Sequence, residues 1–272
     1  MKRLDRVRAL TLLACVLATP WMFVQSAAAQ TPTLPSETPP KFTPAVSSFD
    51  YVRRDVMIPM RDGVKLHTVI LVPKGAHRAP ILLTRTPYDA TATTSYAQSA
   101  HLAPMLNGYD NALDVIIPGG YIRVVEDIRG KYGSEGDYVM NRPLIGPLNP
   151  TKVDESTDTY DTIDWLIKHI PETNGKVGEL GISYDGFEPL MALVNPHPAL
   201  QVSVPMNPMV DGWMGDDWFH YGAFRQNNLD YISSESSVRG DGQDSPREVY
   251  DDYDGFLRAG SVDGWAKAHG LE

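Results

Sequence analysis

The sequence that decides the fold is Leu180-Gly181-Ile182-Ser183-Tyr184-Asp185-Gly186-Phe187. A strand-like segment, residues 176–181, precedes its serine, and an apolar helix-like segment, residues 187–194, follows it. A sharp turn between a strand and a helix lifts a serine to the carboxyl end of a sheet and aims helix-start N–H groups at a carbonyl oxygen. The stretch therefore predicts a nucleophile turn with Ser183 at its tip.

The glycines around Ser183 fit this interpretation, because a tight backbone leaves no room for side chains at nearby positions. Asp185 stands where the usual G-x-S-x-G pattern has its second glycine, and Gly186 comes one position later. A glycine-flanked serine also occurs in ordinary strand–helix turns, so the motif depends on its context. That context is favourable, with a strand before it and a helix after it.

Outward from the turn, the pattern predicts strands that alternate with helices. A β-hairpin is expected first, since two strand-like runs flank the turn Arg61-Asp62-Gly63. The predicted strands are residues 52–58, 64–72, 79–84, 121–125, 176–181 and 201–206. Such alternation is typical of an α/β-hydrolase fold, in which helices cover both faces of a mostly parallel sheet.

A helix is predicted over residues 158–170, just before the strand that leads to Ser183. Its apolar residues recur at three- and four-residue spacing: Tyr160, Ile163, Leu166, Ile167 and Ile170. Asp158 is the expected N-cap, and Pro171 ends the helix. Glu188, on the next helix, stands where an uncharged residue would pack, and we expect it to be either solvent-exposed or in a salt link.

The chain begins with features of an export signal. Four basic residues precede an apolar run over residues 9–24, and Ala27-Ala28-Ala29 offers a cleavage site. A membrane anchor is the alternative, although the run is short for a span and contains Pro20. We therefore expect residues 1–29 to be a signal peptide, followed by a Pro-rich arm over residues 30–47, and no membrane association after cleavage.

Composition limits the possible partners and cofactors. The net charge of −10 argues against a nucleic-acid partner, which would require clustered Lys and Arg. The single cysteine, Cys15, lies in the predicted signal, so the mature protein has no disulfide and no cysteine metal site. An acidic, exported chain without cysteine indicates the bacterial periplasm. We expect neither a metal nor an organic cofactor.

The composition and hydrophobic pattern of the sequence change after Pro208. Aromatic residues and acids crowd together, and no strand-like run is visible. We interpret residues 48–208 as the N-terminal part of the α/β-hydrolase domain and residues 209–272 as the beginning of a largely helical cap domain.

Beyond the nucleophile turn, several segments resemble one hydrolase family (CocE/NonD), which contains cocaine esterase, Xaa-Pro dipeptidyl-peptidases and α-amino acid ester hydrolases. The similarity runs from about Val52 to the end of the chain. The segments that carry it are Gly181-Ile182-Ser183-Tyr184-Asp185-Gly186, Arg85-Thr86-Pro87-Tyr88, residues 127–136 and residues 161–166. Within the family, residues 209–219 are most similar to the α-amino acid ester hydrolases.

The resemblance implies a role for each matching residue. Ser183 would attack an ester or amide carbonyl, and the backbone N–H of Tyr184 and the hydroxyl of Tyr88 would stabilise the oxyanion. Asp217, with Asp216 as the second choice, would bind the α-ammonium group of a small-molecule ester or amide. From the residues alone, Tyr88 could be a turn aromatic and the two acids a solvated helix start. The resemblance also implies a homo-oligomer, a tetramer, for the full-length protein.

A serine nucleophile also needs a base, and in this fold the partners follow in the order Ser, acid, His. We expect none of the histidines in the chain to fill that place: His67, His77, His101, His169, His197, His220 and His269. The triad Asp and His would then lie beyond residue 272, and the polypeptide alone would be inactive and poorly soluble.

Three alternatives remain open at this point. The specificity could be that of a cephalosporin acylase, a Xaa-Pro peptidase or a plain carboxylesterase. An anchor could replace the cleaved signal. The chain could also be a non-catalytic binding remnant, in which case Ser183 would not react with a fluorophosphonate.

Overall fold

The structure is a computed structural model, and it describes residues 51–95, 116, 118–212, 214–215, 218–225, 229–240, 242 and 249–270. The predicted signal peptide and Pro-rich arm lie outside these residues, as do Asp216, Asp217 and His101. That residues 209–272 begin a cap domain stays a prediction.

Six strands form one mixed sheet. They are β1 (Tyr51–Pro59), β2 (Lys65–Pro73), β3 (Ala79–Thr86), β4 (Ile122–Asp127), β5 (Thr173–Ile182) and β6 (Leu200–Met206). Their order in the sheet is β1-β2-β4-β3-β5-β6. Strands β4, β3, β5 and β6 run parallel, whereas β2 is antiparallel to both of its neighbours. The predicted hairpin and the mostly parallel sheet are confirmed.

Six helices accompany the sheet in the described part of the chain. They are α1 (Ala90–Thr93), α2 (Glu155–His169), α3 (Tyr184–Ala192), α4 (Leu229–Ser236), α5 (Asp252–Ala259) and α6 (Val262–Ala268). A small antiparallel pair, β7 (Phe219–His220) and β8 (Ala223–Phe224), was not predicted from the sequence. Among the described residues, no helix is both long and apolar enough to cross a membrane.

The central strands are buried on both faces, as expected for parallel strands between layers. In β2, Ile70 and Val72 pack with Ile163 and Leu166 of α2, whereas alternate residues of the strand pack toward Ala90 on the other face. Because successive side chains of a strand point to opposite faces, β2 contributes to the apolar core on each face of the sheet. A third apolar cluster surrounds the start of α3, and its buried members are Ile128, Tyr184, Phe187, Met191 and Met209.

Helix α2 begins earlier than predicted. Its N-cap is Asp154, whose side chain accepts a hydrogen bond from the backbone N–H of Thr157, while the Thr157 hydroxyl accepts one from the backbone N–H of Asp154. Asp158, the predicted N-cap, lies inside the helix, fully buried, and pairs with Arg129. The prediction was wrong because the first turn is polar yet buried, so apolar periodicity did not reach its start. The predicted end before Pro171 is confirmed.

Candidate active site

Ser183 lies between the last residue of β5 and the first residue of α3, at a backbone φ of 64°. A positive φ is strained for a residue with a side chain, at a cost of about 1–3 kcal/mol. The surrounding structure holds it there, since its N–H donates to the carbonyl oxygen of Met206, 3.0 Å away on β6. The strained turn projects this serine at the carboxyl end of the parallel strands.

The two glycines of the motif are required by the geometry. A Cβ on Gly181 would lie 2.0 Å from the carbonyl oxygen of Asp185, and one on Gly186 would lie 2.4 Å from that of Met206. Both contacts are with backbone, which cannot move aside as a flexible side chain can. The expectation that a tight backbone excludes side chains here is confirmed.

Tyr184 is the first residue of α3, where backbone N–H groups have no acceptor within the helix. Its side chain is fully buried, and its hydroxyl accepts a hydrogen bond from the backbone N–H of Asn141 at 2.8 Å. Burial holds the pKa of the Tyr184 hydroxyl well above its usual value. The anchored side chain fixes the backbone of the turn, so a donor N–H stands beside Ser183.

Tyr88 reaches the same region from the end of β3. Its hydroxyl donates to the carboxylate of Glu235 and lies 3.1 Å from the hydroxyl of Tyr231. Tyr231 in turn neighbours Ser183, whose hydroxyl partly offsets the rise in the pKa of Tyr231. The structure therefore brings Tyr88 and Ser183 together around a tyrosine of α4 that sequence reasoning missed.

Burial governs the protonation of this network. It raises the pKa of Tyr88 and of Tyr231, and the nearby carboxylate of Glu235 adds to both effects. Both phenols are therefore neutral over the whole physiological pH range. The single proton of the Tyr88 hydroxyl is directed at Glu235 in this structure, so it can be donated to an oxyanion only after it turns away from that carboxylate.

Helix α4 is held against the hydrolase core by a buried lysine. Lys131 Nζ donates to the carbonyl oxygens of Ser234, Ser237 and Gly240, at 2.8, 2.8 and 3.0 Å. A cation suits this place, since the carbonyls at the end of a helix carry partial negative charge. The lysine thereby positions the helix that contributes Tyr231 to the site.

The rest of the glycine-rich loop, residues 127–136, also has a structural role. Arg129 binds Asp158 at 2.7 Å and Asp62 at 2.8 Å. Asp127 is buried and accepts hydrogen bonds from His67 Nδ1 at 2.8 Å and from the backbone N–H of Ala90 at 2.7 Å.

Beneath α3 lies a cluster of buried charges centred on Arg85. Its guanidinium contacts Glu126 at 2.8 Å, Glu188 at 2.7 Å and Glu155 at 3.1 Å. Glu188 is fully buried, so the expectation of solvent exposure was wrong and that of a salt link is confirmed. The polar hydroxyls of Thr68 and Thr162 donate to Glu126 and complete the cluster.

Two further acids are buried nearby without full compensation. Within the described part of the chain, neither carboxylate oxygen of Glu179, on β5, takes part in a hydrogen bond, and burial raises its pKa to about 8. Burial also raises the pKa of Asp185, on the first turn of α3, to about 8, and the nearby Thr86 hydroxyl opposes that rise. Both carboxyls are therefore protonated over much of the neutral range.

The histidines with described bonds are engaged elsewhere. His67 binds Asp127, and His197 binds the N–H of Ala199 while lying 3.5 Å from Asp164. His169 and His269 bind the carbonyl oxygens of Trp165 and Trp265. The described contacts of Ser183 involve a tyrosine and backbone groups instead. Among the described residues, no group of His, Cys, Asp and Glu could hold a metal ion.

Comparison with known proteins identifies the family. Residues 62–270 match the family described as X-Pro dipeptidyl-peptidase (S15 family), which is well over half of the chain. The chain belongs to that family. Cocaine esterase of Rhodococcus sp. (strain MB1 Bresler), a family relative, is 30% identical over 160 residues, which are 59% of this chain and 24% of the esterase.

Two solved structures are more similar to this S15 family member. An α-amino acid ester hydrolase is 60% identical with a TM-score of 0.76, and an aminopeptidase from a marine sediment archaeon, Thaumarchaeota archaeon, is 52% identical with a TM-score of 0.76. Each match covers 88% of this chain and 39% of the other. The α/β-hydrolase fold and the family resemblance are confirmed, and the chain spans well under half the length of these relatives.

Sequence reasoning assigned no role to several residues of the site: Tyr231, Glu235, Asp185 and Arg85. The signal for the first two was their spacing of four residues, which places both on one face of a helix. Asp185 was noticed as a departure from the motif but not as a buried group.

Proposed function

We propose that the protein is a serine hydrolase and acyltransferase that acts on α-amino acid esters and amides through an acyl-enzyme on Ser183. One observation carries the proposal: Ser183 stands at φ 64° on a strained turn and neighbours Tyr231, whose hydroxyl lies 3.1 Å from that of Tyr88. A strained serine aimed at hydroxyl and N–H donors is the arrangement that acyl transfer requires.

In the proposed reaction, Ser183 Oγ attacks the acyl carbon and forms a tetrahedral oxyanion. The N–H of Tyr184 and the hydroxyl of Tyr88 stabilise that oxyanion, and the C–O or C–N bond of the substrate then breaks. The alcohol or amine leaves with a proton, and the acyl group stays on the serine. Water, or an amine nucleus such as that of a β-lactam, then takes the acyl group and restores the hydroxyl.

The base of this reaction is proposed to lie outside the contacts described for Ser183. His67, His169 and His197 are bonded to other groups, and the described bonds of Ser183 provide no acceptor that could serve as a general base. We therefore propose that the 272 residues alone are inactive. Because the relatives are longer than this chain, activity is to be assayed with the complete gene product.

For the substrate, we propose an ester or amide with a free α-amino group, bound through its ammonium by Asp217, with Asp216 as the second choice. A charge-assisted hydrogen bond to a carboxylate would reject acyl groups that lack the amine. The 60% identity to an α-amino acid ester hydrolase supports this choice.

A matched pair of substrates tests this preference. Phenylglycine methyl ester and phenylacetic acid methyl ester differ only in the amine, and kcat/KM should favour phenylglycine at least tenfold. Asp217→Asn should remove most of that preference, whereas Asp263→Asn, at an exposed ion pair with Lys267, should leave it unchanged. Equal rates for both esters in the wild-type protein would contradict the proposed specificity.

Peptide hydrolysis is the second candidate, because an aminopeptidase is 52% identical to this chain and the family is described as X-Pro dipeptidyl-peptidase. A Xaa-Pro p-nitroanilide should be a poor substrate if ester hydrolysis is the main activity. A kcat/KM for the anilide above that for phenylglycine methyl ester would favour the peptidase. A cephalosporin acylase or a carboxylesterase would instead show no need for the α-amine.

The location and assembly are also proposals. The basic start, the apolar run and Ala27-Ala28-Ala29 support export to a bacterial periplasm with cleavage before Gln30. Cell fractionation and N-terminal sequencing of the mature protein would test this. The family resemblance supports a homo-oligomer, a tetramer, for which light scattering of the complete gene product is the test.

A further inference from the structure

Two acids occupy one face of the helix that follows Ser183. Asp185 and Glu188 are three residues apart on α3, so their side chains project in similar directions. Asp185 is 4% exposed and Glu188 is fully buried. Carboxylates are rarely buried to this extent unless they are paired.

Those partners are adjacent residues at the end of β3. Glu188 Oε2 accepts a hydrogen bond from Arg85 Nη1 at 2.7 Å, and the Thr86 hydroxyl lies close enough to Asp185 to oppose the rise in the pKa of that carboxyl. The Thr86 hydroxyl oxygen in turn accepts a hydrogen bond from the backbone N–H of Tyr88 at 3.0 Å. Two links thus join the helix of the nucleophile to the segment that ends in the proposed oxyanion tyrosine.

The link through Glu188 belongs to a pair of buried carboxyl groups, those of Glu188 and Glu155. Glu188 Oε1 and Glu155 Oε2 have no hydrogen-bond donor in the described part of the chain, although both carboxyl groups contact Arg85 and each other. A single proton shared between the two carboxyls would satisfy both oxygens. Such a buried arrangement costs more in desolvation than an apolar core would, so it is weak evidence for stability and better evidence for a fixed geometry.

We infer that Asp185 and Glu188 are positioning residues, which fix the hydroxyl of Tyr88 relative to Ser183 by binding Thr86 and Arg85. The inference rests on the proposed function of Ser183 and Tyr88. A fixed spacing matters because a displacement of about 1 Å between catalytic groups can lower a rate on the order of 100-fold. Both links hold the Tyr88 hydroxyl, which would donate to the transition state. Their loss should therefore lower kcat and leave KM nearly unchanged.

The test measures kcat and KM separately for the complete gene product with a p-nitrophenyl ester. Glu188→Gln removes the charge that strengthens the link to Arg85, and Thr86→Val removes the hydroxyl of the other link; both nearly keep side-chain volume, and Thr86→Ser restores the hydroxyl. The control is Glu172→Gln, at a partly exposed ion pair with Arg54, because Glu172 directly precedes β5 and so lies at the opposite end of that strand from Ser183. Circular dichroism and thermal unfolding establish that each variant is folded.

We expect kcat to fall about 10- to 100-fold in Glu188→Gln and Thr86→Val, with KM within about twofold of wild type. Thr86→Ser should recover most of the rate, and the control should match wild type. If Glu188→Gln does not fold, the difference in kcat between Thr86→Val and Thr86→Ser tests the inference. Wild-type kcat in Thr86→Val would overturn the inference.

Ser183→Ala separates this inference from the function on which it rests. An inactive Ser183→Ala variant beside fully active Glu188→Gln and Thr86→Val variants would refute the positioning role alone. Turnover retained in Ser183→Ala would refute the nucleophile, and the positioning role with it.

Discussion

The backbone N–H of Ser183 donates to the carbonyl oxygen of Met206 across 3.0 Å, which ties the turn after β5 to the end of β6. The carbonyl oxygen of Ser183 accepts in turn from the N–H of Met209 at 3.1 Å. The serine is therefore bonded on both sides to the segment that leaves the sheet. This double tie is what stabilises a positive φ at a residue with a side chain.

The first prediction concerns the space around that turn. Gly181→Ala should destabilise the fold by more than about 2 kcal/mol, because its Cβ would meet the backbone oxygen of Asp185 at 2.0 Å. The thermal midpoint should fall by several degrees. In the control, Gly240→Ala, nothing lies within 4 Å of the new Cβ, and the midpoint should change little. Equal midpoints for both variants would show that the turn is not tight.

The second prediction concerns the oxyanion donor. Tyr88→Phe removes the hydroxyl while keeping the ring, so kcat should fall about 100- to 1,000-fold with little change in KM. Steady-state kinetics of the complete gene product measure both constants. Tyr250→Phe, at a fully exposed ring, is the control and should be as active as wild type. A Tyr88→Phe enzyme with wild-type kcat would exclude this donor.

The third prediction concerns pH and the buried acid on β5. Burial raises the pKa of Glu179 from 4.5 to about 8 in the folded protein. Between these values the unfolded chain loses a proton that the folded chain keeps, so this group makes stability fall as pH rises from about 4.5 to about 8. Glu179→Gln should flatten that decline and stabilise the protein at pH 8 by on the order of a few kcal/mol.

Denaturant unfolding at pH 5, 6.5 and 8 measures the effect. Glu172→Gln is the matched control, because Arg54 lowers the pKa of that partly exposed glutamate and no such decline is expected from it. If the unfolding free energies of Glu179→Gln and wild type differ by the same amount at all three pH values, Glu179 does not titrate in this window.

The fourth prediction concerns the lysine beneath α4. Lys131→Met removes three hydrogen bonds from a buried ammonium to carbonyls of residues 234, 237 and 240. Charge-assisted bonds of this kind contribute about 1.5–3 kcal/mol each at most, so amide hydrogen exchange in α4 should speed up at least tenfold. Exchange in α2 should not change. Lys267→Met, at an exposed pair with Asp263, should leave α4 protected.

Much of the fold could be predicted from the sequence, because apolar runs indicate burial and the Asp-Gly turn at Asp62-Gly63 indicates chain reversal. The segment from Lys176 to Met206 shows this: strand, turn, helix and strand all appear where hydrophobic pattern and glycines placed them. The start of α2 could not be predicted in the same way, since its buried first turn contains only polar residues such as Glu155 and Asp158.

The site was predictable only where one local motif specified it. Ser183 and Gly181 share a turn, but Tyr88 meets Tyr231 across 143 positions and Arg85 meets Glu188 across 103. No local pattern encodes such contacts. A charged residue is ordinarily exposed, so Glu179 carried no sign of burial, and the position of Glu188 left solvent exposure and a salt link both open.

Covalent labelling of Ser183 tests the central claim most directly. The complete gene product would be treated with a fluorophosphonate, digested and examined by mass spectrometry, beside the Ser183→Ala variant. The account predicts one adduct on the peptide that contains Ser183 and none in the variant. An unlabelled Ser183, or ester hydrolysis that survives Ser183→Ala, would contradict it.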